Sequence, residues 1–169
     1  IVVDNDSTED IKTICNEYHV KYLFEKKRGS YAARNKGIGE AKGKYFAFTD
    51  SDCIPDSYWL ENGIDKLIEH SDAGLVGGHI QVFTASRKQT LGDTFDLAFA
   101  FPQHYYVREN HFAATANMFT SKDTFERVGF FNQDMASGGD YEWGQRVHKA
   151  GLAQLFAPEA IVKHPARSS

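Results

Sequence analysis

The fold of this 169-residue chain is decided by the stretch Phe46-Ala47-Phe48-Thr49-Asp50-Ser51-Asp52-Cys53-Ile54-Pro55-Asp56. Its first part is an apolar, aromatic run that is too short for a helix and therefore predicts a buried strand. Two carboxylates, Asp50 and Asp52, follow at the point where this strand ends. Ligands of open α/β sheets bind at the carboxyl ends of the strands, so both acids are expected to face a crevice.

Carboxylate oxygens at such an edge suit Mg²⁺ or Mn²⁺. These ions bind proteins through one or two carboxylates and complete their coordination with water and substrate phosphates. Asp, Ser and Pro are also ordinary turn residues, so these few positions fit a solvated turn equally well. Other parts of the chain must distinguish a metal site from a turn.

Short apolar runs and amphipathic segments alternate on both sides of this stretch. Strands are predicted at residues 1–4, 20–24 and 75–83, and helices are predicted to follow Asn5, Gly29 and Ile54. This alternation favours a mostly parallel sheet with helices on both faces. A further strand is predicted at 113–120, a helix after Gly138, and two short strands at 152–157 and 160–163.

Composition limits the functional classes. With 41% hydrophobic residues the chain forms one substantial core, and the net charge of -4 argues against a nucleic-acid partner. Cys15 and Cys53 have no companion at metal-site spacing, which favours free thiols in a reducing compartment. The sequence shows no membrane span and no signal peptide. These features predict a cytoplasmic protein, with association at the inner face of the membrane left open.

Three further regions carry candidate chemistry. Arg28 and Arg34 flank a Gly-Ser turn at a helix start, where they are able to meet phosphate or a base edge. Residues 84–111 are rich in aromatic side chains, which favours core packing over a cover for a site. His164, after the last strand, is either a metal ligand or a surface residue, and the surface interpretation is the default for a lone histidine.

Asp140 has two competing interpretations. It lies at a helix start, where an aspartate commonly caps the free amides and is stabilised by the helix dipole. A general base also needs a fixed position, and a rigid helix start after the glycine pair Gly138-Gly139 provides one. Both interpretations stay open at this point.

Six motifs occur together in an order that closely resembles the family 2 glycosyltransferases. They are Val2-Val3-Asp4-Asn5-Asp6, Arg28-Gly29-Ser30-Tyr31-Ala32-Ala33-Arg34-Asn35, Thr49-Asp50-Ser51-Asp52, Thr115-Ala116-Asn117-Met118, Gly129-Phe130-Phe131 and Gly139-Asp140-Tyr141-Glu142-Trp143. The resemblance spans essentially the whole chain. It implies a single GT-A domain over residues 1–169, an α/β fold that binds a nucleotide sugar and a divalent cation.

The resemblance also implies roles for individual residues. Those matched to nucleotide-sugar binding are Asp4, Arg28, Arg34, Asp50 and Ser51. Asp52 matches the metal-binding acid, and His164 stands, as the loosest match, where many members place another metal ligand. Asp140 matches the catalytic base, although the glutamate that usually precedes this base is Gly139 here. The residues matched to the acceptor side are Asn117, Glu142 and Trp143.

The implied reaction is inverting transfer of a sugar from a nucleoside diphosphate sugar, expected to be a UDP-sugar, to a hydroxyl acceptor that is saccharide or lipid-linked. Mn²⁺ or Mg²⁺ is the implied cofactor. A nucleotidyltransferase of similar fold and a non-catalytic nucleotide-sugar binding module are the alternatives. Family members usually have a strand and helix before the strand that starts at Ile1. The chain is therefore expected either to be an N-terminally truncated part of a longer polypeptide, or to have a sheet that lacks an inner strand and is unstable unless a substitute is recruited, for example by self-association.

Overall fold

The computed structural model describes residues 1–84 and 100–166, which contain seven strands and six helices. The strands are β1 (Val2–Asp4), β2 (Tyr22–Phe24), β3 (Tyr45–Thr49), β4 (Ile54–Pro55), β5 (Ala73–Phe83), β6 (Asn117–Ser121) and β7 (Ala153–Pro165). The helices are α1 (Ile11–Glu17), α2 (Ser30–Glu40), α3 (Trp59–Glu69), α4 (Gln103–Glu109), α5 (Lys122–Val128) and α6 (Gly139–Lys149).

The main sheet has five strands in the order β3-β6-β5-β7-β4. The α/β prediction is confirmed, but the sheet is mixed where a mostly parallel one was expected. Among its described strands only β5 and β7 pair in parallel, because β6 enters between β3 and β5 in the reverse direction and β4 runs antiparallel to β7. A strand buried on both faces has the same continuous apolar pattern in either direction, so the sequence did not reveal this reversal.

The strands β1 and β2 form a separate two-stranded parallel sheet. Within residues 1–84 and 100–166, β1 pairs only with β2, and β3 pairs only with β6. Each of these strands therefore keeps one edge without a ladder in the described part of the chain. The expectation that an inner strand of the family is lacking stays a prediction.

Apolar side chains fill both faces of the main sheet. Successive residues alternate between the faces, as Leu75 and Val76 do in β5 and Met118 and Phe119 do in β6. One cluster packs below α2, α5 and α6 and is made of Tyr31, Ile38, Phe46, Leu75, Val107, Ala113, Met118, Phe125, Phe131, Trp143 and Val147. The other packs below α3 and is made of Trp59, Leu67, Val76, Phe119, Ala157, Ala160 and Val162. The prediction of helices on both faces is confirmed.

Several local predictions need adjustment. The two terminal strands expected from the sequence are one strand, β7, with a register irregularity opposite Gly78 and His79. A Cβ atom on Gly78 would lie 2.4 Å from the carbonyl oxygen of Ala160, so this glycine permits a close approach of the two backbones. Phe95, Leu97 and Phe99, which belong to the segment 84–111 predicted to pack in the core, lie outside the described residues. No described helix combines the length and apolarity needed to cross a lipid bilayer.

Candidate active site

A cleft of about 520 Å³ opens where β3 ends and β6 begins, beside α2 and the start of α6. The side chains and backbone that line it belong to Ser30, Tyr31, Arg34, Asp50, Ser51, Asp52, Phe101, Ala114, Thr115, Ala116, Ala136, Ser137, Gly138 and Asp140. The cleft therefore brings together the acids that follow β3 and the acid at the start of α6. Asp52 and Asp140 are 88 positions apart in the sequence.

Arg34 and Asp50 form an ion pair on the cleft wall. The guanidinium Nη2 donates to Asp50 Oδ1 at 2.6 Å, and the two side chains are 17% and 35% exposed. Helix α2 positions the arginine, and its guanidinium also lies 5.6 Å from the centre of the Tyr31 ring. Part of the charge of Asp50 is therefore balanced, while the remaining guanidinium N–H groups are available to an anionic ligand.

Asp140 is not the N-cap of α6. Gly138 takes that position with a φ of 74°, a conformation that glycine adopts without steric cost. Asp140 lies in the first helical turn, and its Oδ1 accepts hydrogen bonds from the Tyr31 hydroxyl at 3.2 Å and from the Tyr141 amide at 2.9 Å. The capping interpretation is therefore wrong. The helix start still favours the negative charge of this carboxylate through its free amides.

Gly139 lies against the face of Tyr31. A Cβ atom at position 139 would be 2.7 Å from Tyr31 Cε2 and 2.8 Å from two other ring carbons. Because real Cβ atoms do not approach a ring this closely, no side chain fits at position 139 while Tyr31 keeps its place. The tyrosine thus occupies the space beside the acid where the family pattern leads one to expect a glutamate.

Tyr31 is buried, with 5% of its surface exposed. This burial raises the pKa of its phenol, and the nearby negative charge of Asp140 raises it further. The hydroxyl therefore stays protonated at neutral pH and donates its hydrogen to the carboxylate.

His164 is buried rather than on the surface, with 5% of its surface exposed. Its ring lies 4.6 Å from the ring of Phe101, and its Nδ1 is 2.7 Å from the carbonyl oxygen of Pro165. A carbonyl oxygen only accepts hydrogen bonds, so Nδ1 donates to it and Nε2 is the ring nitrogen left to face Asp52. Nε2 lies 3.9 Å from Asp52 Oδ1. An imidazole nitrogen beside a carboxylate, with the other ring nitrogen held by a carbonyl, fits a divalent cation.

Two residues predicted to bind the nucleotide do not line the described cleft. Asp4, at the end of β1, accepts hydrogen bonds from the Ser7 amide at 2.9 Å and from the Tyr22 hydroxyl at 3.0 Å. These bonds lower the pKa of the Asp4 carboxyl. Arg28 is 82% exposed and pairs with Asp6 at 2.9 Å.

The three residues predicted for the acceptor side are absent from the cleft lining. Asn117 is completely buried: its amide donates to the carbonyls of His79 and Ala160, and its oxygen accepts from Trp59 Nε1. Trp143 is also completely buried, and its indole N–H donates to the carbonyl of Gly129. Glu142 pairs with Arg146 at 2.8 Å. Asn117 and Trp143 are therefore held within the core, and Glu142 pairs with a residue of its own helix. An acceptor-side role for the three stays a prediction.

Sequence reasoning missed two residues that shape the cleft: Tyr31, which lines it, and Gln103, which holds a lining segment in place. Tyr31 precedes Arg34 by three positions, so helical spacing alone places both on one side of α2. Gln103 gave no such signal: its side chain clamps the segment before β6 by bonding to the backbone of Ala114 and Asn117. That segment supplies Ala114, Thr115 and Ala116 to the cleft.

Comparison with known proteins agrees with this arrangement. The sequence model of Glycosyl transferase family 2 matches residues 1–129, more than half of the chain. The chain belongs to this family. The segment that matches the family model includes Arg34, Asp50 and Asp52, whereas Asp140 and His164 lie after it.

Among curated relatives, the family 2 chain is 35% identical to the glycosyltransferase AglE of Haloferax volcanii over 173 residues. That alignment covers 99% of this chain and 56% of AglE. The chain thus spans about half the length of this relative.

Solved structures show the GT-A fold of the family 2 chain. GalNAc-T7 with UDP, GalNAc and Mn²⁺ superposes with a TM-score of 0.72 at 18% identity, covering 98% of this chain and 37% of that one. The mannosyltransferase PcManGT of Pyrobaculum calidifontis, in complex with GDP-Man and Mn²⁺, superposes with a TM-score of 0.70 at 18% identity. The match covers 96% of this chain and 46% of PcManGT.

Proposed function

We propose that this chain carries the catalytic centre of an inverting glycosyltransferase, which moves a sugar from a nucleoside diphosphate sugar to an acceptor hydroxyl. The observation that carries this proposal is the shared cleft, which is lined by Asp50, Asp52 and Asp140. Membership of the family supports the reaction class. The UDP and GDP-Man bound by the two solved proteins of this fold support a nucleotide donor.

Asp140 is the proposed general base. Its Oδ1 is held by Tyr31 and Tyr141, which fixes the carboxylate at the edge of the cleft. The acceptor O–H gives its proton to this carboxylate as the oxygen forms a bond to the anomeric carbon. The bond from that carbon to the diphosphate oxygen breaks on the opposite side, and the nucleoside diphosphate leaves with the electron pair. Displacement from the opposite side inverts the anomeric centre.

Arg34, Asp50 and Ser51 are the proposed nucleotide-sugar ligands within the cleft. The guanidinium is held by Asp50 in a partly buried position, where a charge-assisted hydrogen bond to a phosphate is stronger than in water. Asp4 and Arg28 are proposed to contact the base or ribose from outside the described cleft lining. The proposal for these two rests on the family resemblance.

Asp52 and His164 are the residues that would hold a divalent cation, and Mn²⁺ or Mg²⁺ is the proposed ion. The fit rests on His164 Nε2, whose ring is oriented by the carbonyl of Pro165, and on the Asp52 carboxylate beside it. When bound, such an ion supplies Lewis-acid stabilisation of the charge on the departing diphosphate. Mn²⁺ in the two solved structures of this fold supports the choice of ion.

A donor panel with two matched variants tests this function. UDP-, GDP-, CDP- and dTDP-sugars are compared by thermal shift with and without Mn²⁺, since a ligand at a hundred times its Kd adds about 2.7 kcal/mol to folding stability. Asp140→Asn is expected to keep the shift and lose transfer. Asp123→Asn is the matched control, because it also removes an acid from a first helical turn but lies on α5. It is expected to keep both the thermal shift and the transfer activity.

Product analysis separates the remaining possibilities. Release of a nucleoside diphosphate supports the proposal, whereas release of pyrophosphate indicates a nucleotidyltransferase. Donor-dependent stabilisation without any turnover indicates a binding module. Turnover that is unchanged in Asp140→Asn contradicts the role of this residue.

A further inference from the structure

Cys53 lies beside the two proposed metal ligands. The antiparallel pairing of β4 with β7 matches Ile54 with Lys163, so continuing the register by one residue sets Cys53 opposite His164. One ligand atom from each of Asp52, Cys53 and His164 lies within 4.8 Å of the other two. A carboxylate oxygen, a thiol sulfur and an imidazole nitrogen therefore converge at one point, and Asp52 connects this cluster to the cleft that it lines.

The three side chains differ in exposure in a way that suits entry of an ion. Asp52 is exposed, Cys53 is partly buried and His164 is buried. The Nε2 atom of His164 lies 3.9 Å from Asp52 Oδ1, which is too long for a hydrogen bond. Within residues 1–84 and 100–166 this nitrogen has no hydrogen-bond partner, although its side chain is buried. An unpaired ring nitrogen beside two further ligand groups is a second, independent feature that points to a cation.

We propose that Asp52, Cys53 and His164 form a three-ligand site for Zn²⁺, and that Zn²⁺ in this site excludes the hard cation needed for transfer. Zn²⁺ binds Cys sulfur, His nitrogen and carboxylate oxygen, and sites with three protein ligands keep an open fourth position. Mg²⁺ and Mn²⁺ prefer oxygen ligands, and Mn²⁺ binds a given N, O and S set more weakly than Zn²⁺ does.

Binding releases the Cys53 thiol proton to solvent as the sulfur–zinc bond forms, so it requires no other reactant. Asp52 is shared between the two ions, and a bound Zn²⁺ therefore denies the hard cation its carboxylate. The inhibitory consequence rests on the proposed function. The binding itself does not, because it depends only on the three side chains.

Co²⁺ spectroscopy on the full chain tests the binding. Co²⁺ accepts the same ligands as Zn²⁺, and a coordinated thiolate gives a charge-transfer band in the near ultraviolet. We expect this band in the unmodified chain and in Cys15→Ser, whose cysteine lies on α1. We expect no band in Cys53→Ser. Zn²⁺ competition should show an affinity at least about tenfold weaker in Cys53→Ser, with the Mn²⁺ affinity unchanged.

Absence of the band from the unmodified chain overturns the proposal, and this result needs no variant to fold. Persistence of the band in Cys53→Ser, or an equal Zn²⁺ affinity in that variant, also overturns it. In the transfer assay, Zn²⁺ should suppress Mn²⁺-supported turnover of the unmodified chain more strongly than that of Cys53→Ser. A chain that shows the band but no turnover contradicts the proposed function and leaves the zinc site supported.

Discussion

The hydroxyl of Tyr31 donates a 3.2 Å hydrogen bond to the Asp140 carboxylate, although the two residues are 109 positions apart in the chain. The tyrosine belongs to α2, whose Arg34 pairs with Asp50, and all three residues line the cleft. The next residue, Asn35, exchanges two hydrogen bonds with the backbone of Phe131, in the segment leading to α6. One face of α2 therefore links the nucleotide wall of the cleft to the proposed base.

Removal of the Tyr31 hydroxyl tests this link. Tyr31→Phe keeps the ring that packs on Gly139 and loses the bond to Asp140. A hydrogen bond to a charged group contributes about 1.5–3 kcal/mol, so we expect kcat to fall by at least about tenfold. The donor KM should change little, because the hydroxyl does not belong to the proposed nucleotide ligands. Steady-state kinetics with the donor identified by the panel measures both values.

Tyr141→Phe is the matched control for that experiment. It removes a neighbouring phenol hydroxyl but leaves the Tyr141 backbone amide that donates to Asp140. Its kcat should stay close to that of the unmodified chain. Equal kcat values for the two variants would contradict the positioning role.

The negative charge of Asp140 raises the pKa of Tyr31, so Asp140→Asn should lower this pKa in an NMR titration with labelled tyrosine.

Gly139 offers a second test of the same contact. In Gly139→Ala the new Cβ would approach the Tyr31 ring to 2.7 Å, and overpacking of this kind costs about 1–3 kcal/mol. Gly39→Ala is the comparison, since Gly39 lies in α2 and a Cβ atom there would meet no atom within 4 Å, so this variant should be neutral or stabilised. Denaturant unfolding measures both changes. If Gly139→Ala costs as much in a Tyr31→Ala background as alone, the ring is not the obstacle.

The sequence was sufficient to locate one wall of the cleft. Asp50 and Asp52 follow directly on the partly buried strand β3, so their position at the sheet edge depends on adjacent residues alone. Arg34 was found for a similar reason, because it lies one helical turn from the Gly-Ser start of α2. In each case the feature that determines the position is local, and local patterns are what a single sequence records.

Features that depend on distant partners were not predictable. Tyr31 acquires its role from Asp140, and Cys53 acquires its neighbour His164 from the pairing of β4 with β7. Asn117 was matched to the acceptor side, yet it is held by Trp59 and by two backbone carbonyls in the core. A motif identifies such a residue without stating which way its side chain points.

Arg34 and Arg28 give contrasting predictions for nucleotide binding. Arg34 is partly buried in the cleft, whereas Arg28 is 82% exposed. Loss of a charge-assisted hydrogen bond should weaken binding of the nucleoside diphosphate by about tenfold or more in Arg34→Ala. Exposed ion pairs contribute about 0–1 kcal/mol, so Arg28→Ala should have a smaller effect. Calorimetric titration measures the affinity of both variants for the nucleoside diphosphate. A larger loss of affinity in Arg28→Ala than in Arg34→Ala would place the nucleotide outside the cleft.

The lowered pKa of the Asp4 carboxyl predicts how the free energy of unfolding depends on pH. Hydrogen bonds from Ser7 and Tyr22 lower the pKa of its carboxyl below the ordinary value of 3.8. The folded state then binds a proton less readily than the unfolded state, so the stabilisation is present in full above about pH 4–5. It is lost as the pH falls through the lowered pKa of the folded state. Free energies of unfolding between about pH 3 and pH 7, spanning this window at roughly unit intervals, measure the effect.

Asp4→Asn removes the titrating group, so its unfolding free energy should fall less steeply than that of the unmodified chain as the pH decreases. The difference between the two proteins should therefore be largest near neutral pH and shrink in acid. Tyr22→Phe removes one of the donors and should give an intermediate slope, because the Ser7 amide still binds Asp4 Oδ1. A difference that stays constant over the whole range would mean that the hydrogen bonds of Asp4 do not distinguish its ionised form from its neutral form.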